Sequence, residues 1–208
     1  MPPLYLALDT ASPLVSVAAG DGERLVAERT LALERSSEGL LTAIEGVVGE
    51  AGAAVAELDG VVVLRGPGSF TGLRVGLATA LGLHQALDLP VAAVPSLAVL
   101  ALAAGPGRQP VLAAVDALRD QWYAQLFRLD PLPVPAGEAG LRSTAELAAD
   151  VESHGWRAIG FGLDQRLGGG ASRPPPLARS ALALAAAVPE LWDPALLTRP
   201  IYARPPAV

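Results

Sequence analysis

Two stretches of this chain put polar or flexible residues where chemistry could be done. The first is Arg65-Gly66-Pro67-Gly68-Ser69-Phe70-Thr71-Gly72, which links an apolar run to a long helical pattern. A strand feeding a glycine-rich turn and then a helix brings free backbone N–H groups and the positive end of a helix dipole to one spot. Such a turn can seat an anion or a phosphate, with Gly66, Gly68 and Ser69 around it. It can equally be a tight corner in which the glycines supply unusual dihedrals and Ser69 or Thr71 caps the helix. The segment lacks the Gly-Lys-Ser/Thr of a P-loop and has no Gly-x-Gly-x-x-Gly in register. For the turn taken alone, the corner reading is favoured.

The second stretch is Asp9-Thr10-Ala11-Ser12, which follows an apolar strand. A strand-end carboxylate beside hydroxyls suits Mg–phosphate chemistry, and Asp116 ends a strand in the same way in the second half. The plainer role is turn capping, since Asp and Thr often accept from or donate to turn backbone groups. No nucleophile–base pair accompanies either Asp. The chain has no Cys, and its 15 basic residues are all Arg. Thiolate nucleophiles, cysteine metal sites, Schiff-base lysines and the Walker lysine are therefore excluded. Only two His are present, His84 inside a helical pattern and His154 beside Gly155, at no metal-ligand spacing. Both read as structural or solvated.

The elements that would carry these residues need a core, and the composition can supply one. Of 208 residues, 51% are hydrophobic and 17% charged, while aromatics reach only 4%. Ala, Leu and Val must then build the interior by close helix-on-sheet packing. Acidic groups outnumber basic ones 21 to 15, a net charge of −6. Autonomous nucleic-acid binding through a basic surface is disfavoured, because phosphate neutralisation needs clustered cations. The opening MPPLYLALDT reads as a strand and not a signal, and no apolar run reaches the ~18 residues of a membrane span. A soluble, cytoplasmic protein without a membrane partner is expected.

Apolar runs and alternation predict strands over 4–8, 15–18, 24–31, 60–64 and 91–94, with helices over 36–52, 73–87 and 96–105. The order βββαβαβα is complete near residue 104. Gly105-Pro106-Gly107-Arg108-Gln109-Pro110 reads as a hinge. After it, strands are expected over 111–115, 122–129 and 156–159, and helices over 144–151 and 180–188. Residues 131–140 and 164–176 read as loops. Both halves open with a strand ending in Asp followed by a second strand, a weak internal duplication. The expected domains are 1–104 and 111–208, each α/β, around a hinge at 105–110.

The helix after the glycine turn has almost no solvated face. Gly72, Gly76 and Ala80 recur every four residues, with Leu73, Leu77, Val75, Thr79 and Leu83 around them. A helix that is apolar or small all round must be covered all round. Each glycine costs about 1 kcal/mol relative to Ala in a helix, a loss best offset by close approach of another helix or a partner.

The stretches LALDTASPLVSVAA, GVVVLRGPGSFTGLRVGLATALGLHQALDLPVAAVPSLAVLA, LAAVDALRDQWYAQLF and PIYAR resemble the TsaB (YeaZ) family. The likeness covers residues 4–128 and returns near 156–162 and 199–204. It implies two subdomains of the actin/sugar kinase/Hsp70 ATPase (ribonuclease H-like) type, the second one reduced. It also implies a non-catalytic paralogue of TsaD, the enzyme that transfers a threonylcarbamoyl group to N6 of adenosine 37 in tRNAs reading codons that begin with A. The ATPase TsaE completes that complex, and tRNA is touched only indirectly. Homodimer and TsaD contacts fall on the helices near 36–52 and 71–87, which nominates Leu40, Ile44, Val47, Gly72, Val75, Gly76, Thr79, Ala80 and Leu83 as the partner interface.

Three departures from the family pattern bear on chemistry. Arg35-Ser36-Ser37-Glu38 has no His where many members carry one. Thr10-Ala11 stands where ATPases of this fold place Gly, which argues against autonomous ATP hydrolysis. Residues 131–200 match poorly. No catalytic or metal residue is nominated. Asp9, Thr10, Gly66, Gly68 and Ser69 are the candidate cofactor contacts, with ATP or ADP at the TsaD interface as the candidate ligand. The alternative is an ATPase of the same fold working through Asp9 and Asp116. A peptidase would lack both a nucleophile–base pair and a metal cluster.

Overall fold

A computed structural model of the chain describes residues 2–31 and 36–203, the side chains of 36–38 excepted. The helix cap read at Ser36-Ser37-Glu38, Arg35 before it, and Arg204 of the closing PIYAR lie outside the described residues. The chain divides into two compact units.

The first unit holds the chain up to Pro95 together with Pro176–Ile201. Short apolar runs rich in Val and Leu make its strands, β1 (Tyr5–Asp9), β2 (Val15–Gly20), β3 (Leu25–Leu31), β4 (Gly60–Leu64) and β5 (Val91–Val94). They lie in the order β3-β2-β1-β4-β5. β1, β2 and β3 form an antiparallel meander, whereas β4 and β5 join in parallel, with Leu8 opposite Val63 and Val63 opposite Ala93.

Because strand side chains alternate, each strand serves two faces. Leu6, Leu8, Val17, Val61, Val63 and Val91 join one core with α1 (Ser36–Glu50) and α2 (Phe70–Leu87). Ala7, Ala18, Val62 and Ala92 are equally buried on the opposite face. There α6, over Ala178–Ala187, lies across β1, β2, β4 and β5, and Ala178 N–H donates to Ser16 Oγ at 3.1 Å. Small residues on both sides, with Ala178, Ala181 and Ala185 buried on the helix, allow this close approach. Trp192 closes one end: its indole donates to the Ala185 carbonyl at 2.9 Å and its ring meets Tyr5 at 4.9 Å.

The second unit holds Ser96–Pro175 and, among the described residues, Tyr202 and Ala203. It comprises α3 (Ser96–Ala103), β6 (Val111–Asp116), β7 (Gln121–Asp130), β8 (Leu132–Pro135), β9 (Gly140–Ser143), α4 (Thr144–His154), β10 (Arg157–Ile159), α5 (Leu163–Leu167) and β11 (Ala171–Ser172). The sheet runs β11-β10-β6-β7-β8, with β9 also paired to β7. Again three antiparallel strands, β6, β7 and β8, adjoin two parallel ones, β10 and β11. The duplication read from the two Asp-ended strands is thus a repeat of strand order. Leu112, Ala114, Trp122, Leu147, Val151 and Leu163 form its core.

Three expectations are corrected. The domain boundary is not at 105–110: α3 belongs to the second unit, and residues 176–201 return to the first. The hinge segment is instead fixed within the second unit, where the Arg157 guanidinium donates to the carbonyls of Ala104, Gly105 and Pro106 at 2.9–3.2 Å. This ties down the carbonyls of the turn that follows α3. The Pro-rich stretch after 131 contains an edge strand, β8, where Pro133 and Pro135 are tolerated because an edge leaves N–H positions unpaired. Residues 164–172 are a short helix, a 3-10 turn and β11, not a loop.

Candidate functional site

The turn after β1 is built around Asp9. Its carboxylate is fully enclosed, and Oδ1 accepts from the backbone N–H groups of Ala11 at 3.0 Å and Ser12 at 3.1 Å. Oδ2 has no hydrogen-bond partner among the described residues. Burial is the larger influence and pushes the carboxyl up to about 6, against the hydrogen bonds from Ser12 and Ala11, which lower it. The adjacent Thr10 hydroxyl, also buried, donates to the Gly72 carbonyl at 2.7 Å.

The glycine turn meets this turn face to face. Ser69 N–H donates to the Ala11 carbonyl at 2.8 Å, and Ser69 Oγ accepts from Gly72 N–H at 3.2 Å as the N-cap of α2. A side chain at Gly68 would meet the Ala11 carbonyl oxygen at 2.7 Å, one at Gly72 would strike the Thr10 carbonyl, and one at Gly76 the Thr10 hydroxyl. Gly66 has φ +101°, and its face is taken by the backbone of Ile201. The glycines serve the joining of two backbones. Asp9, Thr10, Gly68 and Ser69 lie in a closed joint, with Gly66 facing Ile201, and this joint does not fit the phosphates of ATP or ADP.

The remaining polar candidates are dispersed. Asp116 belongs to the other unit, where its Oδ1 accepts from Leu118 N–H at 2.7 Å in the β6–β7 turn. Leu118, Arg119 and Asp120 there all have positive φ. His84 Nδ1 lies 2.7 Å from the Leu89 carbonyl in the last turn of α2. His154 stacks on Trp156 at 4.4 Å. Among the described residues no three of His, Asp and Glu are grouped to hold a metal ion.

The nominated partner residues divide by depth. Leu40, Ile44, Val47, Gly72, Gly76 and Ala80 are buried inside the unit, while Val75, Thr79 and Leu83 are half-buried. The small-residue stripe therefore faces the sheet and the β1 turn, because only glycine lets α2 rest on Thr10. The face of α2 turned to solvent is different: Phe70 is 45% exposed and Leu81 37%, with Arg74 and Ala78 between them and Gln85 one turn beyond. Arg74 sits over the Phe70 ring at 4.9 Å. On α1, Leu41 is 63% exposed. These residues were missed singly, although 70, 74, 78, 81 and 85 follow helical spacing.

Known proteins share this arrangement. Residues 29–133 match the family model described as TsaD: tRNA N6-adenosine threonylcarbamoyltransferase. The tRNA threonylcarbamoyladenosine biosynthesis protein TsaB of Escherichia coli is 31% identical over 135 residues, 64% of this chain and 58% of its own length. The chain spans little more than half the length of the curated relatives it matches. YeaZ from Pseudomonas aeruginosa superposes with a TM-score of 0.77 at 28% identity, covering 94% of this chain and 97% of that one. The component A of (R)-2-hydroxyglutaryl-CoA dehydratase from Acidaminococcus fermentans shares the fold alone, with a TM-score of 0.53 at 12% identity over 90% of this chain and 98% of that one. The architecture, two mixed sheets in an α/β chain, is that of the actin/sugar kinase/Hsp70 ATPase folds.

Proposed function

Because this chain belongs to the TsaB/YeaZ family, within the group the TsaD model describes, we propose that it acts in tRNA threonylcarbamoyladenosine biosynthesis as a dimerising, non-catalytic subunit that binds and activates TsaD. TsaD would then carry out the transfer to adenosine 37, with TsaE completing the complex. The net charge of −6 leaves tRNA contact to the partner. No helix among the described residues is long and apolar enough to cross a membrane, and the cytoplasm is the compartment this role requires.

The observation that carries the reading is the exposed apolar face of α2 and α1. Leu81 and Leu41 are exposed on helices whose other faces are already packed, and Phe70 is partly exposed. Aromatic and aliphatic groups with one arginine among them are what the centre of a protein–protein interface is made of. The enclosure of Asp9 supports a supporting rather than a catalytic part, since a buried carboxylate with no solvent path cannot hold a substrate phosphate.

Size exclusion with light scattering tests this, on the chain alone and mixed one to one with TsaD. The expected result is a dimer that exchanges for a TsaD heterodimer, with Leu81→Glu and Leu41→Glu losing both assemblies while keeping the wild-type melting temperature. The tRNA-modifying rate of TsaD should fall without the chain. If TsaD modifies tRNA at full rate alone and no complex forms, the proposal fails. Micromolar Mg–ATP binding and turnover by the isolated chain would favour the ATPase alternative.

A further inference from the structure

A left-handed backbone position is cheap for glycine and costly for a residue with a Cβ, above all a bulky one. The chain has 22 glycines, and among the described residues seven of them sit at positive φ. Four residues of other types share that region. Asp88 does so alone, as the C-cap of α2. The other three are consecutive: Leu118, Arg119 and Asp120, at φ +64°, +56° and +59°, form the turn between β6 and β7. Gln121 N–H donates to the Leu118 carbonyl at 3.2 Å, so Arg119 and Asp120 are the central pair of a tight hairpin turn. Such a pair at positive φ favours Asn-Gly. Here the chain places Arg-Asp, with Leu before it, and uses no glycine.

The turn is held from both sides. Asp116 Oδ1 accepts from Leu118 N–H at 2.7 Å, and Ala117 N–H donates to the Gln121 carbonyl at 2.8 Å. The Asp120 side chain has a structural use. Its Oδ1 accepts from the Thr144 hydroxyl at 2.5 Å, Thr144 Oγ1 accepts from the Trp122 indole N–H at 2.9 Å, and Arg166 stands 3.8 Å from the same carboxylate. Trp122 belongs to the core of the second unit, so the turn is tied to that core. Leu118 and Arg119 are different. Leu118 is 70% exposed, more than any other large apolar side chain among the described residues. Arg119 is exposed, and its guanidinium makes no hydrogen bond or ion pair among the described residues. Glycine at either position would give the same turn with less strain. An exposed leucine alone carries no meaning; one held out on backbone that glycine would relax does.

We propose that the β6–β7 turn is a preformed recognition tip for a protein partner whose apolar pocket is bordered by carboxylates. Leu118 is the anchor that enters the pocket, and Arg119 pairs with its rim. The acids of the turn are already engaged, Asp116 with Leu118 N–H and Asp120 with Thr144 and Arg166, which leaves Arg119 as the charge on offer. Because the turn is fixed in the free chain, little ordering remains to oppose binding. The proposal rests on the reading above in taking that partner to be TsaD. The tip belongs to the second unit, and is a contact additional to the face of α1 and α2.

Calorimetric titration of the full chain with purified TsaD, beside urea unfolding of the chain alone, tests it. Leu118→Gly should weaken binding about tenfold or more. Its urea midpoint should equal or exceed that of wild type, because glycine relaxes the turn and little packing is lost. A leucine with a purely structural part would not separate the two readouts in this direction. Arg119→Ala should weaken binding and reduce its salt dependence, whereas Arg119→Lys should keep most of both. Wild-type affinity in Leu118→Gly, or a lowered midpoint, overturns the proposal; if Leu81→Glu still abolishes binding, the TsaD reading then stands without the tip. If the wild-type chain forms no complex with TsaD, both fall.

Discussion

Asp9 shows how far one residue can depart from its expected part. The strand-end position suggested a ligand for Mg–phosphate, but the carboxylate is enclosed and spends Oδ1 on two turn N–H groups. Its value of about 6, against 3.8 ordinarily, has a definite sign in stability. Between about pH 4 and pH 6 the folded state keeps a proton that the unfolded chain has released. The contribution of this group is therefore fully present below about pH 4 and is lost as pH rises through 6. A difference of that size corresponds to about 3 kcal/mol. In urea unfolding between pH 4 and pH 8, Asp9→Asn should flatten this part of the profile while keeping the turn, because the amide oxygen can still accept from Ala11 and Ser12. An unchanged pH slope in the variant would contradict the assignment.

At the scale of elements, α2 was half legible. Its length, its Ser69 cap and its lack of a solvated face follow from residue types alone. Which side meets the sheet does not, because glycine and alanine stripes serve a sheet, a helix or a partner equally well. The deciding contact is Thr10 against Gly72, 62 residues away in sequence, and Gly76 one turn further, and it is invisible to periodicity. Gly76→Ala should accordingly cost about 1–3 kcal/mol in unfolding free energy through overpacking against the Thr10 hydroxyl, whereas Gly82→Ala, where a Cβ meets nothing within 4 Å, should stabilise by a few tenths up to about 1 kcal/mol. Equal urea midpoints for the two variants would refute this division of the helix. β8 and β11 were illegible for another reason: they are two to four residues long, and prolines or glycines mask any alternation.

At the scale of the whole molecule, the repeated strand order was readable from two Asp-ended strands, but the path of the chain was not. The Gly/Pro segment at 105–110 looked like a boundary because composition changes there, while the true return at 176 is marked only by Pro-rich sequence that reads as surface loop. Residues 176–201 supply α6 and Trp192 to the first unit. A chain ending at residue 175 should therefore lose protection of β1, β2, β4 and β5 in hydrogen exchange, while β6 and β7 stay protected; retained protection in the first sheet would overturn this account. The same return sets an order of events on the ribosome. Nearly all of the second unit lies in one run, Ser96–Pro175, whose sheet can close as soon as that run emerges. The face of the first sheet carrying Ala7, Ala18, Val62 and Ala92 must wait, wet and uncovered, until nearly the last residues described here leave the exit tunnel.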